Sequence, residues 1–126
     1  MKLSDVKVPT RKILIIEDEG DMCLLINLLL YGENTSINHV KSIAHALTYL
    51  KNEQPSLIVL DNRLPDGFGL DFIAYLKANY PDVKIVMISG SDMEARDVAL
   101  EIGADSFLAK PFTKKELQDS IDELLN

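Results

Sequence analysis

The sequence predicts an α/β domain, a doubly wound (βα)5 sandwich in which helices cover both faces of a parallel five-stranded sheet. Two observations predict it. Short apolar runs alternate five times with segments whose apolar residues recur at helical spacing. The runs are near-continuous Ile, Leu and Val, as suits strands buried on both sides. At 126 residues the chain is long enough for one domain with a sizeable core.

Residues 1–11 are polar and unpatterned and read as a flexible leader, with the folded domain over 12–126. Strands are expected at 12–17, 36–40, 57–61, 84–89 and 106–109. The first helix follows, with Met22, Leu25, Ile26 and Leu29 on one face, and Ile43, Ala46, Leu47 and Leu50 mark the second. Phe72, Ile73 and Leu76 define the third. Ala95, Val98, Ala99 and Ile102 form the stripe of the fourth, and Leu117, Ile121, Leu124 and Leu125 that of the fifth. Ser91-x-x-Glu94 and Thr113-x-x-Glu116 have the form of capping boxes that open the last two helices. Gly32 and Gly103 stand where helix ends need a left-handed residue, and Pro55 and Pro81 punctuate the returns to the sheet.

Net charge of −7 and dispersed Lys and Arg argue against nucleic-acid binding by this domain, since phosphate contacts need clustered cations. No apolar run approaches the ~18 residues that span a bilayer, and no signal-peptide pattern opens the chain, so a cytoplasmic location away from membranes is expected. The single cysteine, Cys23, has no partner for an internal disulfide and reads as a packing residue.

The chemistry sits at strand ends. Strand one ends in Glu17-Asp18-Glu19, strand three in Asp61, strand four in Ser89, and strand five runs into Lys110-Pro111. Open α/β sheets bind ligands at the carboxyl ends of their strands, so these groups are expected to converge. Three carboxylates brought together repel unless a cation joins them, and hard oxygen donors of incomplete number suit Mg2+. Asp61 would then be a nucleophile toward phosphorus, forming an aspartyl phosphate. Lys110 would neutralise phosphoryl oxygens and Ser89 would donate a hydrogen bond to one of them. Taken alone, Ser89 is an ordinary strand-end hydroxyl. His39 and His45 are expected to lie away from this pocket, in strand 2 and helix 2.

Ile13 to Glu19, Leu57 to Gly69, Ile85 to Gly90 and Gly103 to Phe112 together resemble the receiver domain of two-component response regulators. The resemblance runs from about residue 12 to the end of the chain. It implies the flavodoxin-like strand order 2-1-3-4-5. It also implies a phosphoryl group delivered to Asp61 by a histidine kinase or histidine phosphotransfer protein. It makes Asp18, Asp61 and the backbone carbonyl of Arg63 the Mg2+ ligands, with Glu17 acting through water, and it implies a cis Lys110-Pro111 peptide. Ser89 and Phe107 become the switch pair: Ser89 moves toward the phosphoryl group, Phe107 turns inward, and the surface of helix 4, strand 5 and helix 5 changes for a downstream target or fused output domain.

Some positions depart from the commonest pattern of that family. Serine replaces threonine at 89, phenylalanine replaces tyrosine at 107, and bulky, cationic Arg63 stands two residues after the nucleophile, against the phosphoryl group or the attacking water. Helix 5 lacks the arginine expected in receivers of winged-helix transcription factors. Between Met22 and Tyr31 only Asn27 is polar, and Leu24, Leu28 and Tyr31 form an apolar strip facing away from Met22 and Ile26. That strip suits docking of a helical partner, and in receivers helix 1 receives the phosphodonor. Two other readings stay open: the amino-terminal receiver module of a longer DNA-binding regulator, and a Mg2+-dependent phosphatase. The second is disfavoured because Arg63, not a carboxylate, stands at the position of a general acid.

Overall fold

Alternation along the strands decides the architecture. In the second-last and third strands of the sheet, Ile85 and Met87, and Ile58 and Leu60, pack into one core; Val86 and Ile88, and Leu57 and Val59, pack into another. Successive strand side chains point to opposite faces, so such a sheet must be covered twice. The computed structural model describes residues 11–30, 34–90 and 93–125. It contains β1 (Arg11–Ile16), α1 (Gly20–Leu30), β2 (Thr35–Val40), α2 (Ile43–Asn52), β3 (Leu57–Asp61), α3 (Gly69–Asn79), β4 (Lys84–Ser89), α4 (Met93–Ile102), β5 (Ser106–Ala109) and α5 (Lys114–Leu125). Every strand pairing in the main sheet is parallel, in the order β2-β1-β3-β4-β5. Arg63–Leu64 and Gly67–Phe68 pair antiparallel as a separate small hairpin between β3 and α3.

One core joins Leu14, Ile16, Ile58 and Leu60 to α2, α3 and α4 through Ala46, Leu50, Phe72, Ile73, Leu76 and Ala99. The other joins Ile13, Ile15, Leu57 and Val59 to α1 and α5 through Ile26, Leu117 and Ile121. The (βα)5 sandwich and the 2-1-3-4-5 order are therefore as expected. β3 lies at the centre, and all five of its residues are buried. Truncating a side chain such as Ile58 to alanine there leaves a cavity costing about 2–5 kcal/mol.

The helix starts show how sequence becomes local structure. At α5, the Thr113 hydroxyl accepts from the Glu116 N–H at 3.0 Å, and the Glu116 carboxylate accepts from the Thr113 N–H at 3.0 Å. This is the expected capping box, satisfying two donors reciprocally. Gly103 has φ +126, as its place after α4 requires. Among the described residues, no helix is long and apolar enough to cross a membrane.

Two helix faces differ from expectation. Leu25 of α1 is exposed beside fully buried Ile26, and Val98 and Ile102 of α4 are exposed while Ala95 and Ala99 are buried. In α1 nearly every residue is apolar, so periodicity could not orient the helix; in α4 the small alanines make the close contact. Of the expected leader only Arg11 is described, and it opens β1. Tyr31, Gly32, Ser91 and the side chains of Cys23 and Leu29 lie outside the described residues.

Candidate functional site

β1, β3, β4 and β5 deliver their last residues to one edge of the sheet, as parallel strands in register must. Asp61 pairs with Ile88, and Ser89 pairs with Ala109 next to Lys110. The Lys110 N–H donates to the Ser89 carbonyl at 2.8 Å, extending the ladder by one residue. The Lys110–Pro111 peptide is cis, as expected. An open cavity of about 450 Å³ lies at this edge, and its walls include Asp18, Asp61, Arg63, Ser89, Gly90 and Lys110.

At its centre two buried carboxylates and the exposed Asp18 meet one ammonium. Glu17 is 0% exposed and Asp61 6%, whereas Asp18 is open to water. Oxygens of all three lie within 4.8 Å of one another. Lys110 Nζ donates to Asp61 Oδ1 at 3.1 Å and to Glu17 Oε2 at 3.2 Å. Burial, and then the Asp61 charge, push the Glu17 carboxyl up to about 7, against the opposing Glu19 N–H and Lys110. Burial works against the Lys110 ammonium, but the Asp61 and Glu17 charges outweigh it and hold its pKa above the usual lysine value.

Three carboxylates whose oxygens lie this close together can share one divalent cation. One of the three stays in water, where the remaining coordination positions can be hydrated. The donor set, all hard oxygen, fits Mg2+ rather than a softer metal.

The other expected residues fall as follows. Ser89 is buried at the cavity wall, and Arg63 lines the cavity from the exposed hairpin. Phe107 is half-buried and packs against the core on the α2, α3 and α4 side. It stands opposite Met87, two residues short of Ser89 in register, so strand alternation puts Ser89 and Phe107 on the same face of the sheet. Leu24 and Leu28 are 60% and 66% exposed on α1, and Tyr31 lies outside the described residues.

Sequence reasoning missed three things. His39 lies in β2 outside the acidic cavity's lining, as expected, but its Nε2 lies 2.9 Å from the Glu17 backbone carbonyl oxygen, because β2 runs beside β1 in register. Asn62 accepts the Gly69 N–H on its carbonyl at 2.7 Å and the Leu70 N–H on Oδ1 at 3.1 Å, opening α3. Asp66 accepts the Ile43 and Ala44 N–H groups, both at 2.9 Å. Those backbone bonds hold the Asp66 carboxyl below its usual pKa. The Pro65-Asp66-Gly67 turn was the available signal, though nothing local says which helix its carboxylate meets.

Residues 13–122 match the response regulator receiver domain family. The chain belongs to that family. This receiver is 38% identical over 119 residues to the alkaline phosphatase synthesis transcriptional regulatory protein SphR of Synechococcus elongatus, covering 86% of this chain and 46% of that protein. It is 34% identical over 107 residues to the KDP operon transcriptional regulatory protein KdpE of Escherichia coli, covering 84% and 47%. The chain thus spans about half the length of these curated relatives. A two-component response regulator from Clostridium difficile superposes with a TM-score of 0.86 at 25% identity, covering 92% of this chain and 96% of the other. Receivers bind Mg2+ at an acidic pocket, interact with histidine kinases and output domains, and are not classical enzymes. In this chain Glu17, Asp18 and Asp61 form an acidic cluster.

Proposed function

We propose that this receiver takes a phosphoryl group on Asp61 from a histidine kinase or histidine phosphotransfer protein in the cytoplasm and catalyses only its own phosphorylation and dephosphorylation. The observation that carries the reading is the Lys110 ammonium held 3.1 Å from the Asp61 carboxylate inside an acidic cavity. An Asp61 oxygen attacks phosphorus, a P–O bond forms, and the P–N bond to the donor imidazole breaks with its electron pair leaving on nitrogen. Lys110 and the Ser89 hydroxyl take two of the phosphoryl oxygens. Asp18, Asp61 and the Arg63 carbonyl would hold Mg2+, with Glu17 acting through water; the bound cation neutralises phosphoryl charge.

The readout would pass from Ser89 to Phe107. Both project from one face of the sheet, and withdrawal of Ser89 toward the phosphoryl group opens room for the ring. The α4–β5–α5 surface then changes for a downstream protein or a fused output domain. SphR and KdpE are transcriptional regulatory proteins, which favours the second reading: this receiver as the regulatory module of a DNA-binding regulator. Exposed Leu24 and Leu28 support α1 as the donor's docking face. A concavity of about 340 Å³ edged by Leu24, Asn27, His39 and Lys41 continues that face.

Intact-mass measurement after incubation with a small acyl phosphate tests the reading. One base-labile phosphoryl adduct is expected, requiring Mg2+ and absent in Asp61→Asn. An adduct that survives base, or continuous turnover of phosphate esters, overturns it.

A further inference from the structure

The first four N–H groups of a helix have no partner within it. In α2, the Ser42 carbonyl accepts from the Ala46 N–H at 3.0 Å and the Ser42 hydroxyl from the His45 N–H at 3.1 Å, which leaves Ile43 and Ala44. Both are taken by Asp66, one on each carboxylate oxygen, from a loop 23 and 22 residues further along the chain. An acid there also meets the positive end of the helix dipole. The loop packs closely at the same place, since a Cβ on Gly67 would sit 3.0 Å from the Ile43 side chain. At its two ends, Asn62 closes onto Gly69 and Leu70 at the start of α3. One short loop is therefore tied to the N-termini of two helices, and the Arg63 backbone lies between the ties.

The geometry points to Asp66 as a positioning residue: by fastening the loop after Asp61 to α2, it holds the Arg63 carbonyl and the end of β3 where they receive the metal. This rests on the reading of Asp61 as phosphoacceptor with Mg2+ beside it. Asp66 itself touches neither the metal carboxylates nor the reacting oxygen. Its carboxylate acts through the backbone, as outer partners of metal ligands do.

Ser42 supplies the control, because its hydroxyl caps the same helix through His45, within α2, rather than through the loop. Asp66→Ala, Asp66→Asn and Ser42→Ala are compared by thermal melting in chelator, by calorimetric titration with MgCl2 alone, and by the rate of adduct formation with acyl phosphate. Asp66→Ala and Ser42→Ala each lower the melting temperature by about 4 °C. Asp66→Ala weakens Mg2+ binding by about 10-fold and slows adduct formation in step, Asp66→Asn recovers most of both, and Ser42→Ala changes neither by more than about twofold. Equal weakening by Ser42→Ala, or wild-type Mg2+ affinity in Asp66→Ala, overturns the inference. A wild type that binds Mg2+ yet forms no adduct overturns the phosphoacceptor reading, and the Mg2+ comparison still decides the role of Asp66. A wild type that binds no Mg2+ overturns both.

Discussion

Lys110 and Asp61 stand 49 residues apart in the chain, and their side chains meet at 3.1 Å. The same ammonium reaches Glu17 at 3.2 Å, so one cation is shared between two buried carboxylates. That sharing is incomplete compensation. Removing two charges from water costs several kcal/mol each, and one ammonium offsets only part of it.

The raised Glu17 carboxyl gives a pH dependence. Its folded pKa of about 7 exceeds the ordinary 4.5, so between those values the folded protein binds more protons than the unfolded chain. Stability of the metal-free protein must therefore fall as pH rises through that window, by about 3 kcal/mol. Melting in chelator from acid to mildly alkaline pH should show the decline, and Glu17→Gln should flatten it. A metal-free protein that gains stability over this window, in a manner Glu17→Gln leaves intact, would count against the electrostatic account.

Gly69 is required by space. A Cβ there would lie 2.4 Å from the Asp61 carbonyl oxygen, which is backbone and has no freedom to retreat. Gly69→Ala should cost about 1–3 kcal/mol by denaturant unfolding and displace the end of β3. Adduct formation at Asp61 should fall with it, even at temperatures where the variant remains folded.

Arg63 lines the cavity from the hairpin as an exposed cation, beside Asp61 and Lys110. An exposed ion pair contributes about 0.5–1 kcal/mol, so Arg63→Ala should shorten the lifetime of the phospho-form about two- to fivefold. The decay of the adduct after removal of phosphodonor measures it. An unchanged lifetime would remove Arg63 from the chemistry, and a longer one would overturn its stabilising role.

Leu24 is exposed on α1, so a polar replacement should leave stability within about 0.5 kcal/mol. Leu24→Asp should slow phosphoryl transfer from a phosphohistidine donor by about 10-fold, the loss of a central apolar contact, while transfer from acyl phosphate is unchanged. Equal slowing with both donors would exclude docking at this face.

Strand and helix order, and the identity of the charged residues at the strand ends, were determined by the sequence. Apolar runs such as Leu57–Leu60 can be buried only as strands between two helical layers, and an acid or lysine at the end of such a run must emerge at the sheet edge. Tertiary structure alone decided the rest. Periodicity could not orient an almost wholly apolar α1, so the exposure of Leu25 came only from packing against the sheet. The contact of His39 with Glu17 depends on β2 lying beside β1, and the hold of Asp66 on α2 joins residues far apart in the chain. Local patterns report which face a residue can occupy; which partner it meets there is settled when the layers close.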